Sequence, residues 1–233
     1  MTSSDIVISY SSNCKLNKGL LRFSKKKRIP CGACIVEWYP VEYFGGDEKA
    51  YAVYRYLFEK LFVQYDFLLP ISSKIEDYFA SHSNSHLFRV PILADLEEYP
   101  AKPKKIGETW KIIYPANGKI KDSLSQMIKS VSMLDDLLLN KVELHVFGVK
   151  EKNIRKIIPQ KDYERLERSL ILHSWLTYDE LIALYNDAHY LLLAREDNQL
   201  TQANFPSKVI ESMTYSVIPI VSDVGDYTRL YLK

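Results

Sequence analysis

The chain has 233 residues, 47% of them hydrophobic and 12% aromatic, enough to bury one or two sizeable cores. Its 8 glycines and 10 prolines exclude a collagen-like or linker-dominated architecture. Thirty-one Lys and Arg against 29 Asp and Glu leave a formal charge of +2, too balanced for a chain whose main partner is nucleic acid. No apolar run approaches the roughly 20 residues of a membrane-spanning helix. The segment Met1–Asp5 carries an acid and no basic stretch ahead of a short apolar run, so no signal peptide is expected. Three cysteines, an odd count, point to a reducing cytosol. A cytoplasmic α/β protein is the expectation.

In chain order, short apolar runs predict strands at Asp5–Ser11, Ala33–Trp38, Asp66–Ile71 and Leu87–Leu93. Five more follow at Trp110–Ala116, Val142–Gly148, Ser169–Ser174, His189–Ala194 and Val217–Ser222. Helices are predicted at Asp47–Val63, Ser73–His82, Ser123–Leu139, Tyr178–Asn186 and Pro206–Tyr215, with Asp122 and Thr177 as N-caps. Strand and helix alternating at this spacing imply parallel sheets covered on both faces. Glu97–Gly107 is rich in Pro and Lys, has no apolar periodicity, and reads as a linker between domains. The predicted domains are therefore 1–103 and 104–233. The first opens with a strand but lacks the Gly-x-Gly-x-x-Gly turn of a free-standing dinucleotide fold, and about a hundred residues are few for a complete one. It is expected to be incomplete, and the chain to be a piece of something larger.

Ala203–Tyr227 carries the most chemistry. Asn204 suits an N-cap and Pro206 the first helical turn, where its missing N–H costs nothing. Free backbone N–H groups, Ser207 and Lys208 then meet at one helix end, a combination suited to phosphate. Glu211, one turn further, could accept hydrogen bonds from ribose hydroxyls. An ordinary surface helix with a solvated glutamate is the competing reading.

The run FPSKVIESMTYSVIPIVSDVGD resembles the nucleotide-sugar segment of retaining GT-B-fold glycosyltransferases of family 4, through Phe205, Pro206, Lys208, Glu211, Ser212, Met213, Pro219, Ile220, Val221 and Gly225. Trp175–Ala194 resembles the helix and strand before that segment. Ile112–Asp122 is similar to the first strand and loop of the nucleotide domain, with Lys121 at the pyrophosphate-binding lysine. Glu143–Gly148 resembles the second strand. Glu37-Trp38, Asp66–Ser73 and Val90–Asp95 look like the later part of the acceptor domain. The resemblance implies a GT-B-like architecture of two Rossmann-like doubly wound parallel-sheet domains. It also implies retaining transfer from a UDP- or GDP-sugar to a polysaccharide or lipid-linked acceptor, without a metal cofactor. The donor-binding set it implies is Lys121, Asn204, Phe205, Ser207, Lys208, Glu211 and Gly225, with the loop Asp223–Gly225 near the base or phosphates.

The chain departs from the pattern at Ala203, where the first of two family glutamates would stand, with Arg195 and Glu196 as nearby candidates to replace it. The glycine before the x-P-V stretch is replaced by Ser216-Val217, and the acceptor-side Gly-rich loop has no counterpart. No catalytic residue is assigned. A non-catalytic fragment or pseudoenzyme that at most binds nucleotide is the alternative.

Other features are weaker. His82 and His86 straddle a predicted helix end and make a poor metal pair. Cys31-Gly-Ala-Cys34 stands without a second such motif and reads as buried thiols rather than a redox or zinc site. Tyr51, Tyr54 and Tyr56 sit at helical spacing and are expected to pack. Lys25-Lys26-Lys27-Arg28 reads as a solvated turn between helix and strand, or as a weak contact for the anionic inner face of a membrane.

Overall fold

The computed structural model describes residues 5–95, 104, 107–115 and 121–232. Most of the predicted linker, and residues 116–120 of the predicted lysine loop, lie outside them. The chain forms two compact units. The first comprises residues 1–92, 197–205 and 225–233, and the second 93–196 and 206–224. Two late segments thus belong with the N-terminal unit, an arrangement that a single boundary at 103/104 does not capture.

In the first unit, β1 (Val7–Ser9), β2 (Cys31–Ile35), β3 (Phe67–Pro70) and β4 (His86–Leu87) make one parallel sheet in sequential order. β4 is shorter than predicted, although the Phe88 and Val90 N–H groups continue to bond the Leu68 and Pro70 carbonyls. The turn into α1 (Cys14–Lys27) is closed by a side chain where a dinucleotide fold uses glycines. The Nδ2 of the fully buried Asn17 donates to the Ser11 and Asn13 carbonyls at 2.9 and 2.8 Å, and its Oδ1 accepts from the Ser9 hydroxyl at 2.9 Å. Every polar atom of that amide has a partner, so its burial is compensated. Lys25–Lys27 form the exposed last turn of α1, and Arg28 ends it in the left-handed region at φ 56°.

The helix predicted over Asp47–Val63 is α2 (Glu48–Tyr56), capped by Asp47, running into a π turn at Leu57–Leu61 and a 3-10 turn at Phe62–Gln64. The wide π turn lets two adjacent pairs, Leu57-Phe58 and Leu61-Phe62, all bury against the core. Of the three tyrosines expected to pack, Tyr54 is buried, Tyr51 meets Phe44, and Tyr56 is exposed. The remaining α-helices of this unit among the described residues are α3 (Ser73–His82), α9 (Gln199–Ala203) and α11 (Asp226–Tyr231).

The second unit orders its five parallel strands β7-β6-β5-β8-β9, from β5 (Trp110–Tyr114), β6 (Val142–Phe147), β7 (Leu170–His173), β8 (Tyr190–Leu193) and β9 (Ile218–Val221). The chain winds outward one way from β5 and then restarts on its other side at β8. That reversal creates a crevice beyond the carboxyl ends of β5 and β8, where open α/β sheets bind ligands. Ile112, Leu144 and Val146 pack with Met127, Ile128 and Leu166 in the core beneath.

The single helix predicted at Ser123–Leu139 is two, α4 (Leu124–Ser132) and α5 (Asp136–Leu139). Asp135 caps α5 by accepting the Leu138 N–H at 2.8 Å, and Arg165 bonds the Ser132 and Leu134 carbonyls left open at the break. Asp122 is not the cap of α4: Ser123 holds that position. Thr177 does cap α8 (Tyr178–Asp187), in a reciprocal box with Glu180. The short helices α6 (Glu151–Ile157) and α7 (Gln160–Leu166) escape sequence reading because Pro159 cuts the segment into pieces of two turns each.

Candidate functional site

Three charged side chains converge at the reversal point of the second sheet. Arg195 follows β8, Asp122 lies in the connection from β5 to α4, and Lys208 is in the first turn of α10 (Ser207–Thr214). Backbone bonds set the first two against each other: the Ser123 N–H donates to the Ala194 carbonyl at 2.8 Å, and the buried Tyr114 hydroxyl donates to the Asp122 carbonyl at 3.0 Å. The Asp122 Oδ1 accepts from Arg195 Nε at 3.0 Å and lies 2.9 Å from Nη2, while Oδ2 accepts from Lys208 Nζ at 2.8 Å. The Arg195 and Asp122 side chains are 3% and 8% exposed, and that of Lys208 29%. Burial alone would raise the Asp122 carboxyl, but Lys208 and Arg195 outweigh it and hold the group below the usual carboxylate range. A single carboxylate is thus bonded by two cations.

Lys208 also lines a cavity of about 250 Å³ with Pro115, Phe147, Gly148, Trp175 and Leu181, at the carboxyl ends of β5, β6 and β7. Trp175 is 79% exposed, a large aromatic surface held above Gly148. An apolar, aromatic wall beside a cation is the chemistry that holds a nucleobase next to phosphate. Glu211 is half-buried one turn along α10 from Lys208. Burial raises its carboxyl pKa, with Lys208 and Tyr185 acting in the opposite sense.

Of the residues expected at the donor, Lys121, Ser207, Lys208 and Glu211 fall in the second unit, and Asn204, Phe205 and Gly225 in the first. Ser207 is exposed as the first residue of α10, and Lys121 is half-buried just before Asp122. The residue that meets Lys208 is Asp122, read from sequence only as a helix cap. Asn204 is not the cap of α10. It closes α9, and its Nδ2 donates to Glu37 Oε1 at 3.0 Å. Phe205 is buried against the edges of Tyr227 and Tyr231. Gly225 sits at φ 78°, with the Thr201 carbonyl 3.2 Å from where a Cβ would stand. Ala203, buried in α9, has its carbonyl bonded by the Ser72 hydroxyl, and Glu196 is exposed. His82 stacks on Tyr78, and no group of three potential metal ligands occurs among the described residues.

The family described as "Glycosyl transferases group 1" matches residues 95–231. The chain belongs to this family. No curated protein matches it. Among solved structures, HepE of Anabaena in complex with UDP aligns with a TM-score of 0.68 at 12% identity, over 96% of this chain and 62% of that one. The GtfA/B complex gives 0.66 at 14% identity, over 98% and 44%. WaaG, a glycosyltransferase involved in lipopolysaccharide biosynthesis, gives 0.60 at 12%, over 96% and 68%. These likenesses establish the GT-B fold, two α/β parallel-sheet domains. The chain spans 44% to 68% of the length of these three structures.

One residue at the end of α10 has a strained backbone. Ser216, where the family pattern has glycine, adopts φ 57°. It ends α10 in a Schellman motif, with the Val217 and Ser216 N–H groups bonding the Ser212 and Met213 carbonyls at 3.0 Å each. Left-handed backbone costs a residue with a Cβ about 1 kcal/mol or more. Ser216→Gly is therefore expected to stabilise the chain by about 1 kcal/mol in urea unfolding. An unchanged or lower midpoint would show that the serine is not strained.

Proposed function

We propose that this chain binds a nucleoside-diphosphate sugar, UDP- or GDP-linked, at the carboxyl edge of its second sheet. It would transfer the sugar, with retention, to a polysaccharide or lipid-linked acceptor. The observation that carries the reading is the Lys208–Asp122–Arg195 cluster beside the Trp175 cavity, at the reversal point of a sheet in a glycosyltransferase family. In this reading the base lies against Trp175, and Lys208, Lys121 and the N-terminus of α10 with Ser207 take the diphosphate. Glu211 takes the ribose hydroxyls. Asn204, Phe205 and Gly225 then support the loops on either side of α10 and β9. Stabilising the departing diphosphate by fixed positive charge is what lowers the barrier, because that charge is fully developed only as the sugar bond breaks. No helix among the described residues is long and apolar enough to cross a membrane. The exposed Lys25–Arg28 turn offers about 1 kcal/mol per charge toward anionic lipid, which recruits weakly without anchoring.

The alternative, a chain that binds nucleotide without transferring sugar, is favoured by Ala203, whose methyl group cannot replace a carboxylate. Calorimetry with UDP and GDP tests the site. Saturable binding is expected, weakened at least about tenfold (1.4 kcal/mol) by Lys208→Ala, which removes a charge-assisted contact, and also reduced by Glu211→Ala. Binding untouched by both substitutions would refute the assignment. Binding without release of sugar from any donor would favour the alternative.

A further inference from the structure

Glu143, His145 and Phe147 alternate along one face of β6, and His173 stands opposite Phe147 on β7. His145 is buried, at 6% exposure. Its Nδ1 lies 2.9 Å from His173 Nε2, with the two rings inclined by 15° and their centroids 5.1 Å apart, the geometry of one in-plane N–H···N hydrogen bond. The other nitrogen, His145 Nε2, has no hydrogen-bond partner among the described residues and faces the Glu143 carboxylate at 3.5 Å. The tautomers follow from that arrangement. A lone pair on Nε2 would oppose the carboxylate, so Nε2 carries the hydrogen, Nδ1 accepts, and His173 Nε2 is the donor. His173 Nδ1 is then the ring nitrogen with a lone pair to spare.

A proton added at His173 Nδ1 keeps this bond and makes it charge-assisted, whereas a second proton would set two N–H groups against each other. The pair therefore takes up one proton as a unit. Burial holds both rings below the usual histidine range, so the pair is neutral at neutral pH and gains its charge as pH falls. Glu143 favours the cation at His145, and Lys111 on β5 opposes it. Lys111 is in turn paired with Asp187 of α8, and its backbone N–H donates to His189 Nδ1 ahead of β8. The acids that open α8, Asp179 and Glu180, are exposed, with Glu180 bonded to Thr177.

The charge would stand one ring behind the candidate crevice. His173 stacks on Phe147 at 4.8 Å, and Phe147 lines the cavity shared by Lys208 and Trp175. The His173 carbonyl also accepts the Gly148 N–H at 3.1 Å, where Trp175 lies over Gly148. We infer that the His145–His173 pair is a proton-binding site coupled to this crevice, so that a nucleoside-diphosphate sugar binds more tightly once the pair holds one extra proton. The inference rests on the nucleotide assignment above. Linkage makes it reciprocal, because the bound diphosphate must draw a proton onto the pair.

UDP-glucose and GDP-glucose are suitable probes, since their esterified diphosphates keep the same charge across the histidine range. Calorimetry with the full chain is expected to show affinity rising at least about threefold between about pH 7.5 and pH 5.5. Net proton uptake on binding should appear when buffers of different ionisation enthalpy are compared. His173→Gln keeps a donor for His145 Nδ1 but takes no proton, and should remove most of the gain and of the uptake. The slope left in that variant belongs to Glu211, whose carboxyl burial raises, while Asp122 titrates below the range. The ring C–H signals of His173 in the unsubstituted chain, followed by NMR, locate the proton directly, and the ligand should move their midpoint to higher pH. Binding that leaves this midpoint unmoved, or a gain and uptake that His173→Gln leaves intact, would overturn the inference and spare the nucleotide assignment. No binding at any pH would overturn both.

Discussion

Asp122→Ala is expected to lower the stability of the second unit by about 3–5 kcal/mol, the range for removing one partner of a buried ion pair. The magnitude follows from what remains. Arg195, 3% exposed, would keep its charge and lose the carboxylate that bonds its Nε and Nη2. Lys208 can swing its partly exposed ammonium toward water, so the penalty falls mainly on the arginine. Urea unfolding followed by the fluorescence of Trp110 and Trp175, both in this unit, measures it. A pH signature accompanies the loss. The folded carboxyl titrates below its unfolded value of about 3.9. Its contribution is therefore complete above that value and disappears as pH falls through the lower, folded one. The unsubstituted chain should lose this increment below about pH 4, and the variant should show no such increment in the same window. A variant within about 1 kcal/mol of the parent at neutral pH would mean that the cluster contributes little, as exposed pairs do.

Gly225→Ala is the second large effect, about 2–3 kcal/mol, in the first unit. At φ 78° and ψ −170° the backbone lies in a region open almost only to glycine, and the new Cβ would press on the Thr201 carbonyl at 3.2 Å. The obstruction cannot yield cheaply, since it is the backbone of α9 and not a flexible side-chain end. Trp38 reports on this unit by fluorescence, and an unchanged urea midpoint would contradict the strain. The substitution also separates two roles for a glycine that the family pattern associates with the donor loop. A loss of stability with nucleotide affinity retained marks it as a backbone device.

The nine strands among the described residues could each be read from the sequence, because each is a short apolar run bounded by polar or turn-forming residues, and their parallel direction was expected from the alternation with helices, although α1, α6 and α7 were not among the predicted helices. Elements set by competition between local signals were harder. The apolar pattern runs unbroken through Met133–Asp135, yet the Asp135 cap and the Arg165 guanidinium stabilise a break there. At the candidate site, Lys208 and Glu211 stood out because helix chemistry and family resemblance coincide within five residues. Asp122 did not, since its partners are 73 and 86 positions away and its local setting looks like any helix start. Nothing local marks Asn204 as the partner of Glu37, 167 positions earlier, in place of a helix cap.

The affiliation of α9 and α11 with the first unit bears on the order in which this chain can mature. Synthesis completes the four strands of the first sheet by Leu87, but α3 beside them is not yet finished. The carboxylate at its N-terminus is Asp226, which accepts the Ser73 hydroxyl at 2.7 Å and the Ser73 N–H, and which Arg89 approaches at 3.5 Å. Its supply waits until synthesis reaches residue 226. On the ribosome, the first unit therefore closes only after β9 of the second sheet has been made. Nascent chains stalled before residue 226 would hold the first unit open, a vectorial dependence opposite to the usual N-terminal-first maturation of multidomain chains.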